Sequence, residues 1–279
     1  MKIKTLIPFL ALSLLIGCKS KQSQINQIEY TTPKVGYLNV PIKEHSILAV
    51  LWQQHAAEYR ALTYQAYNMA QFQLDLVLNT QVDHKKPLAI IADIDETVLN
   101  NSPYNGKMIE LDEDYSILRW FEWGKEKKAA AIPGALDFFQ YAKRMGVEVF
   151  YISNRSINQK RETIENLQLL GLPFSNETHV LLKEDIGGKE PRRSIIRESH
   201  EIVLFIGDNL SDFSMVFDNQ PTGVRNKRVD SLKTDFGIKF IVLPNPMYGD
   251  WESKGIMEKN YNWTNFQKDS IRRSKVISY

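Results

Sequence analysis

Five short apolar runs punctuate the chain: Leu88–Ala92, Val147–Ile152, Val180–Leu182, Ile202–Ile206 and Ile238–Leu243. Each is largely continuous rather than alternating with polar residues, as expected of a strand buried on both faces. Helical patterns lie between them: Pro133–Met145 with its proline near the first turn, Asn158–Leu170 stopped by Gly171, and Pro191–Ser199. Strand and helix in alternation predict an α/β fold, a mostly parallel sheet with helices on both faces, whose ligands bind beyond the carboxyl ends of the strands. Upstream, Ser46 precedes a long helical pattern in which Ile47, Val50, Leu51, Tyr59, Leu62, Ala66, Met69, Phe72 and Leu76 fall largely on one stripe. One or two helices are therefore expected within residues 45–86, with Tyr59, Tyr64 and Tyr67 as packing groups. Residues 101–132, rich in Trp, Tyr and charge, interrupt the alternation and read as a smaller, mainly helical lobe inserted into a core spanning 87–279.

The amino terminus has a different character. Lys2 and Lys4 precede the apolar run Leu6–Ile16, which is shorter than the ~20 residues a spanning helix needs. The run ends in Leu15-Ile16-Gly17-Cys18, which resembles a bacterial lipobox. Residues 1–17 are thus expected to be a lipoprotein signal peptide, Cys18 the lipidated mature terminus, and 18–44 a tether. Cleavage would leave 33 basic against 33 acidic residues, so attachment rests on acyl chains at ~0.8 kcal/mol per buried methylene rather than on charge. The expected location is the bacterial outer membrane, facing the periplasm or the outside. The near-equal totals of 35 basic and 33 acidic residues lack the basic footprint of a nucleic-acid binder. The single cysteine excludes internal disulfides and cysteine-based zinc sites.

Candidate chemistry gathers where two predicted strands end. Leu88–Ala92 runs into Asp93-Ile94-Asp95-Glu96-Thr97, and Ile202–Ile206 runs into Gly207-Asp208-Asn209-Leu210-Ser211-Asp212. Side chains alternate along an extended segment, so Asp93 and Asp95 share a side, and Asp208 faces Asp93 if the strands are neighbours. Two carboxylates 4 Å apart repel by ~4 kcal/mol at an effective dielectric near 20, which a bound cation relieves. All-oxygen ligands favour a hard ion, and Mg2+ leaves room for a substrate phosphate. The five histidines show no zinc-ligand spacing, and Walker and Cys-x5-Arg loops are absent from the sequence.

IIADIDETVLNNSPY followed by IVLFIGDNLSDF resembles the two-part signature of bacterial class C acid phosphatases, a haloacid-dehalogenase-type family that includes surface lipoprotein 5′-nucleotidases. The resemblance implies a haloacid-dehalogenase-like Rossmannoid core. Asp93 is the implied nucleophile, forming an aspartyl-phosphate, and Asp95 the implied acid and then base. Mg2+ would be held by Asp93, the Asp95 carbonyl oxygen and Asp208, with Asp212 just outside that shell. Ser153 and Asn154 at the exit of Val147–Ile152 would contact phosphate, where a hydroxyl and amides meet a helix start. Lys189 fits the family's spacing for the phosphate lysine better than Lys183. Trp120 and Tyr248 match the family's nucleobase-stacking pair. The expected function is Mg2+-dependent hydrolysis of small phosphomonoesters, nucleoside monophosphates above all, for scavenging at the cell envelope. The alternatives are a broad acid phosphatase without base preference and a non-catalytic surface-binding lipoprotein; the oligomeric state is left open, a homodimer included.

Overall fold

The computed structural model describes residues 41–80, 83–185 and 187–279. The expectations for the signal peptide, for Cys18 and for most of the tether lie outside those residues.

Two helices open the described chain, α1 (Ile47–His55) and α2 (Ala57–Leu78), separated by the extended Ala56. The core follows as β1 (Leu88–Ala92), β2 (Leu99–Asn100), α3 (Ser102–Leu111), α4 (Ile117–Glu126), β3 (Ala130–Ala131), α5 (Ala135–Arg144), β4 (Glu148–Ser156), α6 (Lys160–Leu169), β5 (Val180–Lys183), α7 (Glu190–Ser199), β6 (Glu201–Gly207), α8 (Thr222–Ser231), β7 (Phe240–Val242) and α9 (Asn265–Lys275). Five strands form one sheet in the order β5-β4-β1-β6-β7, every neighbouring pair parallel. The order reverses at β1, the switch point where open α/β sheets form their ligand crevice. β2 and β3 pair antiparallel, and α3 and α4 lie between them in the chain.

Each central strand buries both faces. Ile90, Ala92, Val149, Tyr151, Leu204 and Ile206 join one hydrophobic cluster, while Ala89, Ile91, Phe150, Ile152 and Phe205 join the other. This is the period-2 division of a strand between two covered faces, and it explains why the runs read as continuous. Helices α2, α5 and α6 cover the first face with Tyr67, Leu74, Phe139 and Leu167, and Ile196 of α7 and Phe213 cover the second. Gly134 caps α5 at φ +91°, where a Cβ would lie 3.1 Å from the Tyr67 ring. The backbone angle favours glycine there, and the close ring adds to the cost of any side chain.

The amphipathic stripe predicted for the first helices is only partly right. The break at Ala56 interrupts the helical register, and the face of α2 that enters the core carries Tyr59, Thr63, Ala66, Tyr67, Ala70 and Leu74. Small residues at 66 and 70 let the helix approach the core closely, which leaves Leu62, Met69, Phe72 and Leu76 outside. Tyr64 is likewise partly exposed rather than core. Among the described residues, no helix is long and apolar enough to cross a membrane. Leu74→Ala should cost about 2–5 kcal/mol in chemical denaturation, whereas Phe72→Ala, 56% exposed, should stay within about 0.5 kcal/mol.

Candidate active site

The end of β1 is pinned before it turns. The Asp93 amide donates to the Ile206 carbonyl of β6 at 2.9 Å, and the Ile94 carbonyl accepts from the Val98 and Leu99 amides at 2.9 and 2.8 Å. Ile94 fills the core, so Asp93 and Asp95 leave on the other side. Glu96 turns the chain at φ +59°. Its buried carboxylate accepts from the Asn101 amide at 2.7 Å, the Asn101 side chain at 3.3 Å and the Tyr248 hydroxyl. Burial, reinforced by Asp95, pushes Glu96 up to about 8 against those donors.

β6 ends at Gly207, where a Cβ would lie 2.5 Å from that of Asp212, so only glycine lets the following loop close. Asp212 Oδ2 accepts from the Asn209 amide at 2.9 Å. Asp208 accepts from Thr97 Oγ1 at 3.2 Å and from Asn245 Nδ2 at 2.8 Å. Oxygens of Asp93, Asp208 and Asp212 consequently lie within 4.8 Å of one another.

Lys189, the residue before α7, is 5% exposed and places its ammonium against Asp93 and 2.7 Å from Asp212. One ammonium thus pairs with two of the three clustered carboxylates. Burial raises Asp93 well above the usual carboxylate range, opposed by Lys189 and reinforced by Asp212, Asp208 and Asp95. Burial and Asp212 push Asp208 up to about 8. An oxygen-only donor set with surplus negative charge fits a hard divalent cation, which Asp93 and Asp208 would hold with Asp212 close by.

Asp95 has a separate set of partners. Its Oδ2 accepts from Ser153 Oγ at 2.8 Å, and its Oδ1 accepts from Arg155 Nε and Asn101 Nδ2, each at 2.9 Å. Ser153 is fully buried. Asn154 is exposed, and its side-chain Oδ1 accepts from Arg192 at 2.7 Å. Arg192 also donates to the Ser153 and Gly188 carbonyls, so the first turn of α7 ties the β4 exit to the lysine loop. Arg193 beside it donates to the Ser211 and Asp212 carbonyls at 3.0 and 2.8 Å, fixing the acidic loop.

Asp93, Asp95, Ser153, Lys189, Trp120 and Tyr248 line one cavity of about 460 Å³. Asp208, Asp212 and Asn154 line it too, so the candidate residues that fall within the described chain converge on one crevice. Lys183 ends β5, pairs in the ladder with Ser156 and does not line the cavity. Trp120 and Tyr248 also have partners within the protein: the Trp120 ring meets Tyr104 edge-on at 5.0 Å, and the Tyr248 hydroxyl is the donor to Glu96. Sequence reasoning assigned no role to Arg155, Asn101, Glu96 or Asn245. Asn245 follows the end of β7, and the rule that ligands gather at strand exits would have found it.

Acids at the switch point of a parallel sheet, paired with a buried lysine beside a roomy cavity, define an α/β protein equipped to handle phosphate. A family model for the HAD superfamily, subfamily IIIB (acid phosphatase), matches residues 15–251, and the chain belongs to that family. Among solved structures, the class C acid phosphatase from Bacillus anthracis with tungstate bound is 41% identical, with a TM-score of 0.82 over 86% of this chain and 100% of that one. Acid phosphatase 1 of Solanum lycopersicum is 29% identical over 57% of this chain and 57% of its own length. The class B acid phosphatase of Morganella morganii is 28% identical over 52% and 65%. The chain therefore spans less than two thirds of these curated relatives.

Raised carboxylate pKa values favour the protonated, folded protein. For Glu96 and Asp208 the stabilising contribution is fully present below about pH 4 and is lost as pH rises through about 8. Chelated protein should melt at a progressively lower temperature between pH 5 and pH 8. Added Mg2+ should raise the melting temperature more at pH 8 than at pH 5, where protons compete; differential scanning fluorimetry across that range checks both signs.

Proposed function

We propose that this protein is a Mg2+-dependent phosphomonoesterase that acts on nucleoside monophosphates through an aspartyl-phosphate intermediate. The observation that carries the reading is the Asp93 carboxylate, held at the switch point among Asp208, Asp212 and Lys189 and open to the cavity. Membership of an acid phosphatase family supports the reaction class. The Bacillus anthracis relative was solved with tungstate, an oxyanion of phosphate-like geometry, which supports the ligand class.

Asp93 attacks phosphorus in line as the bond to the leaving oxygen breaks, and Asp95 supplies that oxygen with a proton. Asp95 then takes a proton from water, which attacks phosphorus and frees Asp93. Lys189 and Ser153 donate to the phosphoryl oxygens. A divalent cation, when bound, would be held by Asp93, Asp208 and the Asp95 main chain with Asp212 beside them, and would supply positive charge that offsets repulsion between a carboxylate and a phosphate dianion.

Trp120 and Tyr248 are proposed to sandwich the base. That the Trp120 ring already meets Tyr104 and the Tyr248 hydroxyl is held by Glu96 favours a second reading, a broad acid phosphatase without base preference. The intact acid cluster speaks against a non-catalytic module. At the cell envelope, an acylated Cys18 would hold the enzyme where it releases nucleosides for uptake.

Phosphate release across a panel of nucleoside monophosphates and sugar phosphates tests these readings. Asp93→Asn and chelation should each abolish turnover, a loss of at least ~10³-fold. Full activity in either would refute the mechanism. Trp120→Ala should lower kcat/KM about 10-fold on nucleotides and less than about 2-fold on sugar phosphates, in line with ~1–3 kcal/mol per stacked base; equal losses would establish the broad phosphatase instead. Separately, Cys18→Ala should move the protein from the membrane to the soluble fraction, and unchanged membrane retention would dismiss the lipid anchor.

A further inference from the structure

The partners of Asp95 reach back to the tryptophans of α4. Arg155, in the last part of β4 and 5% exposed, donates from Nε to Asp95 Oδ1, and a terminal guanidinium nitrogen lies 2.9 Å from the same oxygen. Its other donations go to Thr163 Oγ1 at 3.3 Å and Asn101 Oδ1 at 3.2 Å. The guanidinium carbon sits 5.2 Å from the centroid of the Trp120 ring. Asn101 Oδ1 also accepts the Trp123 indole N–H at 2.9 Å, while Asn101 Nδ2 donates to Asp95 Oδ1. Two residues of α4, one turn apart, thus reach a single carboxylate oxygen, Trp120 through Arg155 and Trp123 through Asn101.

We propose that Arg155 is a positioning residue for the leaving-group step: it fixes the orientation in which the Asp95 carboxyl group meets the leaving oxygen, with Asn101 on the same carboxylate oxygen. The inference rests on the reading of Asp95 as the acid. A carboxyl group on an exit loop has two free torsions, and proton transfer requires it within hydrogen-bond reach of one oxygen. A planar guanidinium engages the carboxylate with two nitrogens and presents a flat face to an indole, which a lysine ammonium cannot do. In the step itself, a bond forms from Asp93 to phosphorus while the bond from phosphorus to the leaving oxygen breaks. The proton passes from Asp95 to that oxygen and leaves Asp95 as a carboxylate.

An ion pair that serves only the fold would matter equally for every substrate, whereas proton delivery matters in proportion to the basicity of the departing oxygen. Nitrophenolate departs without a proton and an alkoxide does not. Arg155→Met, Arg155→Lys and Asp95→Asn are therefore compared on p-nitrophenyl phosphate and on glycerol 2-phosphate, with thermal melts confirming folded protein. Arg155→Met should lower kcat ~10²-fold on glycerol 2-phosphate and less than ~5-fold on p-nitrophenyl phosphate, with KM changed less than ~3-fold on both. Arg155→Lys should show the same selectivity at smaller amplitude, and it carries the comparison if Arg155→Met does not fold. Asp95→Asn losing activity equally on both substrates would overturn the assignment of the acid itself. A selective Asp95→Asn beside Arg155 variants that lose both activities equally, or that shift KM rather than kcat, would overturn the positioning role alone.

Discussion

Three carboxylates brought within 4.8 Å of one another, with one buried ammonium paired to two of them, is the constraint on which the rest of this structure depends. Like charges that close in a poorly solvated place resist folding, and every element around them works against that resistance. The sheet locks Asp93 through the bond from its amide to β6. Gly207 makes room for Asp212, Arg193 grips the loop that carries it, and Thr97 and Asn245 occupy the oxygens of Asp208. What remains is a deficit of positive charge, concentrated where the sheet order reverses and a ligand can enter.

The helices before the sheet belong to the same problem. Tyr67 of α2 donates to the Thr97 carbonyl at 2.7 Å, and Gln53 of α1 approaches Glu96 at 3.5 Å. The loop from Asp93 to Thr97 is therefore braced from beneath by α1 and α2 and from the far side by Tyr248. Glu96 sits at the junction, its positive φ turning the chain while its carboxylate collects the donors. A segment legible only as amphipathic helix is, in the fold, a support for the loop from Asp93 to Thr97.

The strands were legible because parallel pairing buries both faces, and a run such as Leu88-Ala89-Ile90-Ile91-Ala92 has no other economical use. The paired acids were legible because strand exits in this fold class collect ligands. The inward face of α2 was not, since Ala66 and Ala70 are chosen for closeness and Thr63 is buried where a larger apolar residue would read as core. Arg155 was hidden for a different reason. One arginine after a strand looks like a solvated charge until the tertiary fold sets Trp120, more than thirty residues earlier in the chain, against its guanidinium.

Segregation of cations is what lets two neighbouring acids play different parts. Lys189 reaches from the start of α7 to Asp93 and Asp212, while Arg155 reaches from β4 to Asp95. The first pair sits in a cluster whose crowding calls for a further cation. The second is met by the Asn101 amide and by an arginine set against the Trp120 ring. Environment rather than residue type thus distinguishes Asp93 from Asp95, the difference on which the proposed division into nucleophile and acid rests. The division also separates the elements: the sheet and α7 hold Asp93, while β4 and the start of the inserted lobe hold Asp95.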